Sequence, residues 1–143
     1  MKKLQQIFIF TLATLTFQAF AAHQKIERLH LGNGKISAEI TPNIGGRLLS
    51  FSLKGNPNFL RVGDEVETTP QPDVNPQADN VAYLGHEIWV GPQSEWWIHQ
   101  QLNTKRAEAK ADWPPDPYLI LPRNKVLEKG KGKIVLQSPE SPI

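Results

Sequence analysis

The chain has 143 residues, 16 Lys and Arg against 14 Asp and Glu, a formal net charge of +2, and no cysteine. Without cysteine there are no disulfides, no thiolate nucleophile and no soft metal ligand, so stability rests on an apolar core alone. Near-balanced charge with no long basic block argues against the clustered positive surface that a nucleic-acid partner needs.

Lys2 and Lys3 make a positive start, Ile7 to Phe17 an apolar run broken only by threonines, and Ala19-Phe20-Ala21 a small-x-small cleavage pattern. Residues 1–21 therefore read as a signal peptide cut after Ala21, and residues 22–143 as the mature, periplasmic or secreted protein. The apolar run is shorter than the ~20 residues of a spanning helix, so stable membrane insertion after cleavage is not expected. Removing residues 1–21 takes away Lys2 and Lys3 and no acid, which leaves 14 basic against 14 acidic side chains.

In the mature part, Ile26–Leu31 and Lys35–Ile40 flank Gly32-Asn33-Gly34. Asn-Gly between apolar segments predicts a hairpin, with both residues at the centre of a type I′ turn. Ile36, Ala38 and Ile40 share one face of the second strand while Lys35, Ser37 and Glu39 share the other, the alternation of a half-buried antiparallel strand. After Thr41-Pro42-Asn43, the pair Gly45-Gly46 marks either a tight turn at positive φ or a close approach by another backbone or a ligand. Arg47–Lys54 reads as a third strand and Phe59–Val62 as a short one.

Residues 63–80 hold five acids, three prolines and no basic side chain, and read as a surface loop. Their acids lack the spacing that gathers oxygens around calcium. Apolar density returns at Val81–Leu84, and Glu87–Val90 reads as a strand carrying Trp89. Residues 100–112 suit a short exposed helix or a loop. Trp113-Pro114-Pro115-Asp116-Pro117 is too proline-rich for helix, Gly130-Lys131-Gly132-Lys133 reads as an exposed turn, and Lys133–Gln137 as a last strand. Short strands with turn signals and no βαβ alternation predict an all-β, antiparallel β-sandwich.

Two segments carry a family resemblance. Asn33-Gly34-Lys35 through Thr41-Pro42, Gly45-Gly46-Arg47 and Ser50 resembles the opening hairpin of galactose mutarotase-like proteins. Trp89-Val90-Gly91-Pro92-Gln93-Ser94 with Trp96-Trp97, then Trp113-Pro114-Pro115-Asp116-Pro117, is similar to an uncharacterised family of exported bacterial proteins in the same superfamily. The resemblance implies part of a large two-sheet supersandwich, roughly its N-terminal half. It provides no position for the catalytic Glu that mutarotases carry beyond their opening strands.

The residues themselves point to binding rather than catalysis. Mutarotation needs a general base and a general acid converging on one sugar. His86 and Glu87 have suitable chemistry, but neighbours on a strand point to opposite faces. His30 and His99 lack zinc-ligand spacing, so neither a metal nor a cofactor is expected. All four tryptophans fall between residues 89 and 113. Flat aromatic faces stack on the apolar faces of sugars, and they also fill cores. The candidate carbohydrate-binding residues are Arg47, Trp89, Gln93, Trp96, Trp97, Trp113 and Asp116, with Glu95 as a further polar companion. The expectation is an exported module that binds carbohydrate or cell-envelope glycan without complete catalytic machinery. The alternatives are part of a sugar epimerase completed by a missing C-terminal half, or a cell-envelope interaction protein whose open sheet edge pairs with a partner strand.

Overall fold

The computed structural model of the chain describes residues 25–143, so the signal-peptide expectation for residues 1–21 lies outside the described residues. Among the described residues the chain is mostly β with a few short helices. Strands β1 (Leu29–Gly32), β2 (Ile36–Ile40) and β3 (Leu48–Leu53) form an antiparallel sheet in the order β1-β2-β3, and β4 (Lys125–Lys129) pairs with β5 (Ile134–Gln137) in a second one.

The first hairpin forms where Asn33-Gly34 places it, with Leu29 opposite Ile40 and Gly32 opposite Ser37. Its turn is one residue further on than a centred Asn-Gly requires. Asn33 N–H donates to the Ile36 carbonyl at 3.2 Å, so Gly34 and Lys35 are the central residues, and only Gly34 has positive φ, +82°. That is the pattern of a II′ rather than a I′ turn. The Asn33 side chain accounts for the shift, since its Oδ1 accepts from Lys35 N–H at 3.0 Å and Ile36 N–H at 2.9 Å.

Gly45 and Gly46 combine the two roles their sequence left open. Both have positive φ, +72° and +71°, and a Cβ on Gly45 would lie 2.6 Å from the Ile120 carbonyl oxygen. This crossing brings helix α3 (Pro117–Ile120) onto the strand connection. Ile26, Ile44, Leu49, Val66, Tyr83, Ile120 and Leu121 make one core there.

Several expectations are corrected. Glu87–Val90 is not a strand. His86 and Leu48 exchange two 2.9 Å backbone hydrogen bonds, but the ladder would next need residues 88 and 89 opposite Gly46 and Gly45, which turn away in the left-handed region. Phe59–Val62 contributes only a Val62–Leu84 bridge, because Leu84 and Gly85, both at positive φ, bend its would-be partner. Residues 63–80 are not wholly surface, since the helical turn α1 (Glu65–Thr68) buries Val66 in the core and Val74 and Ala78 pack against it. Strand β4 has little alternation to announce it, with Val126 its one half-buried side chain. Pro117 does enter a helix, at the first position, where no N–H is required and φ is already suitable. A short helix α2 (Thr104–Glu108) forms within residues 100–112, capped by the Asn103 side chain, which accepts from Arg106 N–H at 3.1 Å.

Candidate functional site

Because the ladder stops at His86, the chain from Glu87 to Pro92 has no regular secondary structure, and Ile88 to Pro92 lie exposed with Trp89 among them. A 3₁₀ turn at Gln93–Glu95 then reverses it and sets Trp96 beside Trp89. Trp96 is oriented by its indole N–H, which donates to the Val90 carbonyl. Trp89 meets both neighbours edge-on. Its ring centroid lies 5.4 Å from that of Trp96 at 87°, and 5.6 Å from that of Trp113 at 73°. Such edge-to-face contacts are the preferred aromatic geometry. Trp89 and Trp113 remain 43% and 46% exposed.

Trp89 forms a wall between two recesses. On one side is an open groove of about 630 Å³ lined by Trp89, Trp96, Glu95, His99, Asp116 and Leu119, among others. Glu95 and His99, one helical turn apart, approach to 3.3 Å at its rim. On the other side is a recess of about 370 Å³ lined by Trp89, Trp113, Arg47, Asn80, His86 and Glu87 with neighbouring loop residues. A further cleft of about 680 Å³, lined by Lys25, Glu27, Asn43 and Arg123, carries no aromatic face.

Arg47 is 2% exposed and sits in the floor of the smaller recess. Its Nη1 donates to the Leu84 carbonyl at 2.7 Å, its Nη2 pairs with Glu87, and its guanidinium lies 5.3 Å from the Tyr83 ring centroid. Burial pushes the Arg47 pKa below its ordinary value, against the opposing pull of the Glu87 carboxylate. Nε of Arg47 and Oδ1 of Asn80 are buried and make no hydrogen bond among the described residues.

The remaining sequence-derived candidates separate. Trp97 is 0% exposed, its indole N–H donates to the Pro114 carbonyl at 2.8 Å, and Arg106 covers its ring at 4.6 Å, so it presents no face to a ligand. Its place is structural. Gln93 is exposed and ties its turn to the Asp112 carbonyl at 2.6 Å. Asp116 caps α3 by accepting from Tyr118 N–H at 2.8 Å, and its other oxygen accepts from the Ser141 hydroxyl, while the side chain also borders the groove. Arg47, Trp89, Trp96, Trp113 and Asp116 are thus brought to two adjoining recesses.

Sequence reasoning missed Asn80 and the pairing of Glu87 with Arg47. No local pattern announces a contact across 40 residues. Among the described residues there is no group of three or more His, Asp or Glu placed to hold a metal ion, and no helix long and apolar enough to cross a membrane. Residues 26–143 match the family described as "Domain of unknown function (DUF4380)". Among curated proteins and solved structures none matches the chain.

Proposed function

The chain belongs to the DUF4380 family, and we propose that it is an exported carbohydrate-binding module of the galactose mutarotase-like kind, without complete catalytic machinery. The observation that carries this reading is the groove in which Trp89 and Trp96 stand at right angles beside Glu95, His99 and Asp116. An indole face offers the apolar contact that a sugar ring's C–H face needs, and the carboxylates and imidazole offer partners for its hydroxyls. Aromatic packing and the Trp96–Val90 hydrogen bond give the groove its shape.

The finer fold reading, a sandwich built as part of a supersandwich, draws support from one cleft. Ile40 and Leu48 of the first sheet and Ile134 and Leu136 of β5 line a common space of about 500 Å³, so apolar residues of the two sheets approach one another. An interaction protein is the second reading, favoured by a single feature. Ile36, Phe51 and Leu53, which lie on one face of β2–β3, are each more than a third exposed.

The test is titration of residues 22–143 with mono- and oligosaccharides, followed by tryptophan fluorescence and calorimetry. Binding should shift the emission, and Trp89→Ala or Trp96→Ala should weaken it by about 1–3 kcal/mol, as aromatic hot spots do, with the fold intact by circular dichroism. A flat response to a broad glycan panel would remove the carbohydrate reading.

A further inference from the structure

Trp89 belongs to both recesses at once, and from that sharing we infer that the ligand is a linked, neutral oligosaccharide whose consecutive rings lie on either side of this side chain. The inference rests on the carbohydrate-binding reading and narrows it to a substrate class.

Two geometrical facts support it. Trp89 contacts Trp96 on the groove side and Trp113 on the recess side, at nearly equal centroid distances of 5.4 and 5.6 Å, so the three indoles form a continuous aromatic row. Each recess also has polar groups of its own. Glu95, His99 and Asp116 border the groove, and Asn80, His86 and the Arg47–Glu87 pair border the smaller recess. One sugar ring placed against Trp96 leaves Trp113 and the polar groups behind it uncovered. A second ring, joined to the first, reaches them without a second loss of translational freedom, which is the source of affinity gain in linked ligands.

The charge balance selects neutral rings. Among the described residues Arg47 is the one lysine or arginine lining the smaller recess, and its charge is already matched by Glu87 in a largely buried ion pair, with side-chain exposures of 3% and 14%. The groove offers two carboxylates, Glu95 and Asp116, against the single imidazole of His99. Among the described residues a carboxylate-bearing sugar therefore finds no free arginine or lysine in either recess and meets two acids in the groove.

The experiment measures Kd by calorimetry for glucose and its β-1,4-linked oligomers up to five rings, for N-acetylglucosamine and its oligomers up to four, and for galacturonic acid oligomers of the same lengths. The expected result is a gain of about tenfold or more between one ring and two or three in a neutral series, then a plateau. Trp113→Ala should lower affinity for the trisaccharide more than for the monosaccharide and so flatten the series, and Trp113→Phe, which keeps a flat face, should restore most of it. Equal affinity for monomer and oligomers would overturn the linked-ring inference while leaving carbohydrate binding in place. Tighter binding of the uronate series would overturn its neutral character. Silence from every sugar would overturn the underlying reading together with this one.

Discussion

Arg47, the residue before β3, forms an ion pair with Glu87, 40 residues later, and this pair ties the segment that carries Trp89 to the core. Removing one partner leaves the other charged inside a poorly hydrated site. Glu87→Gln should therefore destabilise the fold by roughly 2–4 kcal/mol in urea denaturation. The double variant Arg47→Met with Glu87→Gln should cost less than the sum of the two single changes. Additive costs would mean that the pair is not coupled in solution.

Gly34 and Gly45 separate backbone strain from close approach. Both have positive φ, but a Cβ at Gly34 meets nothing within 4 Å, whereas at Gly45 it lies 2.6 Å from a carbonyl oxygen. Gly34→Ala should cost about 1 kcal/mol, the conformational part alone. Gly45→Ala should cost roughly 1–3 kcal/mol more, because Ile120 must move. Thermal unfolding of the two variants under one buffer condition decides the order.

Tyr83 gives a pH dependence with a defined sign. Burial pushes its pKa up to about 12, and its hydroxyl donates to the Thr69 carbonyl at 2.6 Å. Between an ordinary tyrosine value near 10 and this raised one, the unfolded chain releases a proton that the folded chain keeps. The contribution of Tyr83 is therefore complete below about pH 10 and is lost as pH rises toward 12, by roughly 2–3 kcal/mol. Tyr83→Phe should flatten that part of the stability–pH curve, and identical slopes in the two proteins would contradict the assignment.

Adjacent tryptophans should behave oppositely. Trp97→Ala opens a cavity beneath Arg106 and leaves the Pro114 carbonyl without its donor, at about 3–5 kcal/mol. Trp89→Ala, at a position nearly half exposed, should cost under about 1.5 kcal/mol and act mainly on ligand affinity. Chemical denaturation of both variants, with the intact protein as reference, tests the division.

The proposed export makes a prediction at the other end of the chain. Protein recovered from the periplasm or medium should have the mass of residues 22–143, with Met1 to Ala21 removed. A recovered mass that includes those residues would show that the segment is retained as an anchor.

Local regularities made the first sheet legible. The Asn33-Gly34 turn and the segments it joins lie within a few residues of one another, so pairing is largely decided by short-range geometry, but the half-buried alternation expected of Lys35–Ile40 does not form, since Ile36 and Ser37 are both exposed and Ala38, Glu39 and Ile40 are all half-buried. The crowding of the tryptophans was equally visible, because residues 89–113 are close along the chain. The proline at position 117 and the acidic run at 63–80 misled for one reason. Each has a strong average preference, and each contains a position, helix N1 for Pro117 and a core-facing turn for Val66, where tertiary contacts override it.

What tertiary structure alone decided is which face each side chain presents. Trp96 and Trp97 are neighbours of identical chemistry, yet one borders the groove and the other is enclosed between Pro114 and Arg106, segments that approach it from later in the chain. Arg47, a candidate carbohydrate-binding residue by sequence, is matched by Glu87 in the fold. The end of the ladder at His86, which frees Trp89 to stand between two recesses, follows from the left-handed turn of Gly45 and Gly46 on the facing segment. Composition and spacing record which groups are present. Burial and pairing depend on segments meeting across tens of residues, and that information exists only once the chain has closed on itself.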